Sequence, residues 1–288
     1  SKIHQILIKS ANDLISTSEP NYQYVASRLL NMQLRKEVWG CGDEPTDFLL
    51  FLQRNEDNGI YDPDILNKWD TKEVDKLGKY INHSRDDLFT YAGLQQMIDK
   101  YLVKNRSTGI IYETPQFAYM AIAMCLFDSL DEVKKAYDCY STFKINLPTP
   151  IMAGVRTNIR QFASCVLVDV DDNLDAIFSS IHAVGKYTAR RAGIGLNIGR
   201  LRPINSPIRG GEVIHTGLIP YLKNFESAVK STSQNGLRGG SATVHVPFWH
   251  YEIEDIMVLK NNAGTDDNRV RKLDYSVQFC KLFYDRLI

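Results

Sequence analysis

The sequence predicts an α/β protein with a mainly helical N-terminal domain, followed by a region in which short strands alternate with helices. Three observations carry this expectation. Up to about residue 145, apolar residues recur at helical spacing, with Pro, Gly and Asn marking the breaks. Residues 162–170 then form a short, nearly continuous apolar run, the mark of a strand covered on both faces. After that run, helical stretches at 174–191 and 220–232 alternate with strand-like stretches at 195–198 and 242–246.

Taken in order, Ile3, Leu7, Ala11 and Leu14 fall on one helical face, and Glu19-Pro20-Asn21 interrupts the run. Tyr22, Val25, Ala26, Leu29 and Leu30 restart a helix that ends near Gly40. Thr46 is placed to cap a segment carrying Phe48, Leu49 and Leu52, which Asp57-Asn58-Gly59 stops. Thr114-Pro115 sets a capping hydroxyl before a proline at the first helical position, opening a helix toward Asp128. Near the end, Asp274 is expected to cap a helix carrying Val277, Cys280, Tyr284 and Leu287. There is no internal repeat and no low-complexity linker.

The chain has 288 residues, 44% of them hydrophobic and 24% charged, enough apolar material for a substantial core. Lys and Arg together number 34, as do Asp and Glu, so no global field favours nucleic acid or a membrane surface. No apolar run approaches the roughly 20 residues that span a bilayer. The five cysteines (Cys41, Cys125, Cys139, Cys165, Cys280) form no CxxC pair and no zinc spacing, which suits a reducing cytoplasm. The start at Ser1 lacks a signal-peptide layout, and a helix opening almost at once suggests a truncated or processed beginning.

Cys165 is the most informative residue. Alone, a cysteine in a strand is inert packing. Upstream, Thr149 lies between two prolines, whose restricted backbone presents its hydroxyl reproducibly or simply makes a rigid turn. Downstream, Asp172 is placed to cap a helix start. Gly193, Gly195 and Gly199 are spaced GxGxxxG and lead into an apparent strand, so a dinucleotide-binding turn is set aside. Two glycine loops follow, Arg209-Gly210-Gly211 and 233–241 with Arg238-Gly239-Gly240. Glycine there lets backbone approach a ligand, or marks a mobile surface loop. His245 and His250 stand five apart with no HExxH, and surface or packing roles are the expectation for all six histidines.

Taken together in this order, the Pro148-Thr149-Pro150-Ile151-Met152 run, the Cys165 strand, Asp172 and the two Arg-Gly-Gly loops resemble the large subunit of aerobic ribonucleotide reductases, of the phage and enterobacterial kind. The resemblance covers nearly the whole chain. It implies a helical N-terminal domain followed by the first part of a ten-stranded α/β barrel, with Cys165 as half of a redox dithiol beneath the substrate ribose. Thr149, Ser164, Gly193 and Gly240 match positions that hold a ribonucleoside diphosphate. Asp172, Asn173 and Leu174 match the sugar side of a deoxynucleoside triphosphate effector site, whose phosphates Arg202 and Arg209 clamp. Gln234 and Arg238 match the loop that links effector to substrate choice. His4 and Lys36 match late positions of an ATP-binding cone, although Gln33 stands where relatives often place histidine.

The same resemblance divides the chain into a cone remnant at 1–40, a helical domain at 41–152 and an incomplete barrel at 153–288. Residues 174–191 and 220–232 match helices that pair in a homodimer. The implied partners are a small subunit bearing a di-iron radical cofactor, thioredoxin or glutaredoxin as reductant, and a complementary C-terminal half. The Asn-x-Cys-x-Glu finger, the second redox cysteine, the relay tyrosines and the C-terminal dithiol are absent from this sequence. The chain alone is therefore expected to be inactive, and to work when completed. The rival expectation is a non-catalytic module that binds nucleotide effectors and dimerises.

Overall fold

The computed structural model describes residues 2–105, 107–158, 161–232 and 240–288. They form two compact units, Ser1–Phe162 and Ala163–Ile288.

The first unit is helical: α1 (Lys2–Asp13), α2 (Tyr22–Trp39), α3 (Phe48–Asp57), α4 (Asp64–Lys68), α5 (Thr71–Tyr80), α6 (Tyr91–Gln96), α7 (Pro115–Leu126), α8 (Leu130–Ser141) and α9 (Thr149–Gly154). A 3₁₀ turn at His83–Leu88 precedes α6, and a π-helical turn at Met97–Tyr101 follows it. Ten consecutive residues of α7, from Pro115 to Met124, are buried, as expected of a helix that is apolar all round. Phe117 on α7 packs against Phe51, Phe48 and Trp39, at ring separations of 4.8, 5.0 and 6.1 Å.

Several expectations need correction here. On α1 the buried residues are Ile8 and Ala11, while Ile3, Leu7 and Leu14 are exposed. The stripe chosen by contact with α2 is rotated about one residue from the one that spacing suggested. Asp47, and not Thr46, caps α3, its carboxylate accepting from the Leu50 amide at 2.8 Å. Thr114 does occupy the cap position before Pro115, but its buried hydroxyl makes no capping bond. Pro148-Thr149-Pro150 is not an isolated turn: Thr149 is the first residue of α9.

Two buried polar networks hold this unit together. Arg156 and Glu113, both fully buried, form a two-pronged ion pair that the Tyr61 hydroxyl also joins. Arg156 further donates to the carbonyls of Met152 (2.6 Å) and Tyr101 (3.0 Å), tying α9 to the π-helical turn. In the second network, the Asp86 carboxylate accepts from Arg35 (2.9 Å), Asn31 (3.1 Å) and Gln116 (2.9 Å). Burial raises its pKa, and those donors oppose the rise.

The second unit contains β1 (Cys165–Asp169), α10 (Leu174–Ala189), β2 (Gly193–Asn197), a small hairpin of β3 (Pro207–Ile208) and β4 (Val213–Ile214), α11 (Ile219–Ser231), β5 (Ala242–Pro247), α12 (Ile253–Met257), β6 (Asp274–Gln278) and α13 (Lys281–Leu287). The main sheet runs β1-β2-β5-β6, all parallel. Because strand order follows sequence order, crossovers of constant hand place the connecting helices on one face. That face is the core, where Ile177 and Val184 of α10 and Leu222, Phe225 and Val229 of α11 meet Ile194, Leu196, Val244 and Val246. A sheet wound in this way is an arc of an α/β barrel, unlike a doubly wound sheet whose order reverses.

Two strand expectations also change. In the 162–170 run, β1 is an edge strand, with Cys165, Leu167 and Asp169 exposed on its open face. A continuous apolar run shows that both sides are apolar but does not show what covers them. Asp274 begins β6 and caps no helix: residues 274–278 pair with β5, and the last helix starts only after Cys280. The apolar spacing that suggested one helix is shared between a strand and a shorter helix.

Candidate functional site

Two groups of predicted residues come together on the second unit, at opposite ends of the parallel strands. At the C-terminal end of β1, the chain passes Asp169, Asp171, Asp172 and Asn173 into α10. Asn173, and not Asp172, caps this helix, its side chain accepting from the Ala176 amide at 2.8 Å. Asp172 is thereby free to face the segment after β2. It accepts from Arg202 twice, from Nε at 2.7 Å and from the backbone amide at 3.2 Å. Leu174 is 57% exposed on the first turn of α10. The positive end of a long helix, an exposed apolar side chain and a fixed arginine thus share one location, suited to an anionic ligand with a ring.

Arg200 reinforces this location, and the sequence reading did not single it out. Its guanidinium bridges Asp169 (3.0 Å) and Asp171 (2.9 Å), and these partners, the hydrogen bond to Asp171 foremost, raise its pKa. Asn197 also donates to Asp169, at 2.7 Å. The alternation of acids at 169 and 171 with arginines at 200 and 202 stitches two parallel strand ends together. That alternation is the signal that could have found Arg200.

Arg202 Nη1 reaches the Pro207 carbonyl (3.2 Å), and two residues further on Arg209 sits in the turn between β3 and β4. Arg209 is exposed with φ 51°; its carbonyl accepts from the Glu212 amide at 3.4 Å, while among the described residues its guanidinium has no hydrogen-bond or ion-pair partner. The base of this hairpin, in contrast, is pinned. The buried Glu252 carboxylate accepts from the amides of Ile204 (2.9 Å) and Leu218 (3.0 Å). Gly217 between them has φ 91°, and a Cβ there would come within 2.7 Å of the Glu252 carboxylate, so glycine is required. His215 stacks on Tyr221, and His250 bonds the Leu201 carbonyl at 2.9 Å, so both histidines pack as expected. Glu252 was missed because nothing in a sequence marks which surface-type carboxylate becomes a buried acceptor.

At the N-terminal end of the strands lie Ser164, Cys165 and Gly193. Cys165 pairs with Gly193 in the β1–β2 ladder, Ser164 accepts from the Gly193 amide at 2.8 Å, and its hydroxyl lies 3.9 Å from the Cys165 sulfur. Ser241 accepts from Ile194, which places Gly240 at the same end of the sheet, where it also accepts from Lys230 at 3.1 Å. Gly193 and Gly195 lie inside β2 and open no helix; a Cβ at Gly199 would meet Pro247 at 2.6 Å. These glycines serve strand packing, which is why the dinucleotide reading fails.

The remaining predicted residues lie elsewhere. Thr149 belongs to the first unit, as do His4 on α1 and Lys36 on α2. Gln234 and Arg238 lie outside the described residues. Among the described residues there is no cluster of three or more His, Cys, Asp or Glu side chains placed to hold a metal, and no helix is long and apolar enough to cross a membrane.

A helical unit followed by a sequentially ordered parallel sheet, with polar residues gathered at both strand ends, defines a barrel-type α/β protein. The family described as "Ribonucleotide reductase, barrel domain" matches residues 163–288, and "Ribonucleotide reductase, all-alpha domain" matches residues 87–160. The chain is 50% identical over 294 residues to the alpha subunit of ribonucleoside-diphosphate reductase 1 from Escherichia coli, and 48% identical over 289 residues to the corresponding alpha subunit of Enterobacteria phage T4. These alignments cover 100% and 99% of this chain but 38% of each relative. The chain belongs to the class I ribonucleotide reductase large-subunit family and spans 38% of the length of these two relatives.

Proposed function

We propose that the chain serves a ribonucleoside-diphosphate reductase, in which the ribose 2′-hydroxyl leaves as water and is replaced by hydrogen. Two thiols supply the electrons and become a disulfide. Cys165 is one of them; the second thiol, the radical cysteine and the carboxylate base come from the remainder of the subunit. The observation that carries this reading is the placement of Cys165 on the open face of an edge strand, with Ser164 and Gly193 beside it. Side chains on that face would look into the barrel once the arc is continued. Ser164, Thr149, Gly193 and Gly240 bind the substrate.

The Asp172–Arg202 pair, Asn173, Leu174 and Arg209 form a deoxynucleoside triphosphate effector site. The Arg209 guanidinium, exposed and without a hydrogen-bond or ion-pair partner among the described residues, favours this second assignment, because a permanent charge with five donors suits phosphate. Gln234 and Arg238 carry the effector signal to the substrate. Helices α10 and α11 pair across a two-fold axis in a homodimer. His4 and Lys36 belong to the remnant of an ATP-binding region. A separate small subunit carries the di-iron radical cofactor, thioredoxin or glutaredoxin re-reduces the dithiol, and the working compartment is the cytoplasm.

The test is to combine the chain with the rest of the subunit and the small subunit, and to compare wild type with Cys165→Ser. Reduction of a ribonucleoside diphosphate should appear with wild type, and the serine variant should lose repeated turnover. Full thiol-dependent turnover by Cys165→Ser would remove the cysteine from this role.

A further inference from the structure

Two strand ends besides its own hold the segment that carries Arg202. From the end of β1, Asp172 takes both the Arg202 side chain and its backbone amide. The other attachment comes from the turn that follows β5. There His250 donates to the Leu201 carbonyl at 2.9 Å, one residue before Arg202. The Glu252 carboxylate accepts from the Ile204 amide at 2.9 Å, two residues after it.

His250 and Glu252, both buried, act as one piece. The Glu252 amide donates to His250 Nδ1 at 3.1 Å. A carbonyl can only accept, so Nε2 carries the hydrogen that reaches Leu201. Both ring nitrogens are thus committed, and they fix the orientation of the ring. The His250 amide donates to the carbonyl of Pro247, the last residue of β5, at 3.0 Å, and its carbonyl accepts from the Ile253 amide at the start of α12, also at 3.0 Å. An apolar ring would fill the same space but would not hold the Leu201 carbonyl.

The consequence falls on the Arg202 guanidinium. Asp172 takes Nε and the Pro207 carbonyl takes Nη1, whereas Nη2 has no hydrogen-bond partner among the described residues. The group is therefore held along one edge and open at the other. A mobile arginine gives up rotamer freedom when it meets an anion, and one already fixed does not. Fixing the side chain through Asp172 places Nη2 only if the backbone beneath it is fixed as well, and that is what the bonds to Leu201 and Ile204 supply.

We infer that His250, together with Glu252, is a positioning residue of the effector site: it sets Arg202 in place before the triphosphate arrives. Given the assignment of Arg202 to the effector phosphates, on which this role rests, His250 governs affinity through the Leu201 carbonyl and not through contact with the ligand. The end of β5 thereby becomes a third support of the site, beside the ends of β1 and β2.

Calorimetric titration of dTTP into the full chain tests this with two variants that divide the two bonds of the ring. Glutamine sets its amide nitrogen near the place of Nε2 and keeps a donor for Leu201. Asparagine sets its oxygen near Nδ1, keeps the acceptor for the Glu252 amide and falls short of Leu201. His250→Gln should bind dTTP within about twofold of wild type, and His250→Asn roughly two- to tenfold more weakly. In an Arg202→Ala background His250→Asn should cost nothing further, because the residue through which it acts is gone. In the wild type, dTTP should also slow hydrogen exchange at the Glu252 amide, whose acceptor is His250, and this reading needs no variant to fold. Equal affinity in wild type and a folded His250→Asn, equal losses in the two variants, a further loss in the Arg202→Ala background, or a Glu252 amide indifferent to dTTP would each overturn the role and leave the effector site standing. A wild-type chain that binds no dTTP would remove the effector site, and the role with it.

Discussion

The Asp172 carboxylate receives both the side chain and the backbone amide of Arg202, at 2.7 and 3.2 Å, and so locks the end of β1 to the segment after β2. The pair is about one-third exposed, so its worth to global stability is small, under about 1 kcal/mol. Its local effect is larger. Asp172→Ala should speed hydrogen exchange at the Arg202 amide while moving the denaturation midpoint little. An unchanged exchange rate would show that the pair fixes nothing.

Glu252 should matter more to the hairpin than any residue on its tip. It is buried and accepts from the amides of Ile204 and Leu218. Glu252→Gln turns one acceptor oxygen into a donor facing an amide, a mismatch costing about 1–3 kcal/mol. Exchange at both amides should rise together in the variant. Protection equal to wild type would mean the hairpin base is held by other contacts.

The Arg156–Glu113 pair predicts a non-additive double variant. Arg156→Met or Glu113→Gln alone leaves one buried group without its partner, a loss of about 3–5 kcal/mol. The two together should cost clearly less than the sum of the single changes. Urea denaturation of the four proteins measures this, and simple additivity would contradict a coupled pair.

Acid should weaken the first unit over a defined range. Burial foremost, with the nearby Arg35 charge, lowers the His83 pKa from 6.5 to about 4. The unfolded chain therefore takes up a proton that the folded chain resists. Stability from this group is complete above pH 6.5 and is lost as pH falls toward about 4, by roughly 3 kcal/mol in all. Asp86, whose pKa is raised by burial, works in the opposite sense: its contribution is present at low pH and lost as pH rises through its folded value. His83→Gln should flatten the pH 6.5 to 4 limb of a denaturation series. An identical limb in that variant would show that other groups set it.

Much of this organisation was legible in the sequence because it is local. The second helix ending at Gly40, the proline-opened α7 and the strand at Ala242–Pro247 follow from spacing and punctuation within a few residues. What failed depended on partners distant in sequence. The face of α1 was chosen by α2, and residues 274–278 became a strand because β5 offered them a ladder. Asp172 lost the cap to its neighbour Asn173 and turned toward Arg202, thirty residues away. Arg200 and Glu252 escaped notice because their roles exist only once strand ends and loops meet.

The second unit should dimerise through α10 and α11 if those helices pair as proposed. Phe178 on α10 is 56% exposed and Leu174 57%, which leaves apolar surface on the helix for a partner to cover. Sedimentation should show a dimer that Phe178→Glu disrupts and an effector favours. A monomer with and without deoxynucleoside triphosphate would contradict the interface.

The most direct test of the account is calorimetric titration of dTTP into wild type, Arg202→Ala, Arg209→Ala and Asp172→Ala. A charge-assisted phosphate contact is worth about 1.5–3 kcal/mol, so either arginine variant should bind roughly ten- to a hundredfold more weakly. Asp172→Ala should lose less, since a sugar hydroxyl is a poorer partner than a phosphate. Arg238→Ala, added as a control, should bind almost as wild type. Measurable dTTP binding that falls in this order supports an effector site built by these residues. Equal affinity in wild type and Arg209→Ala, in chains shown to be folded, would contradict it.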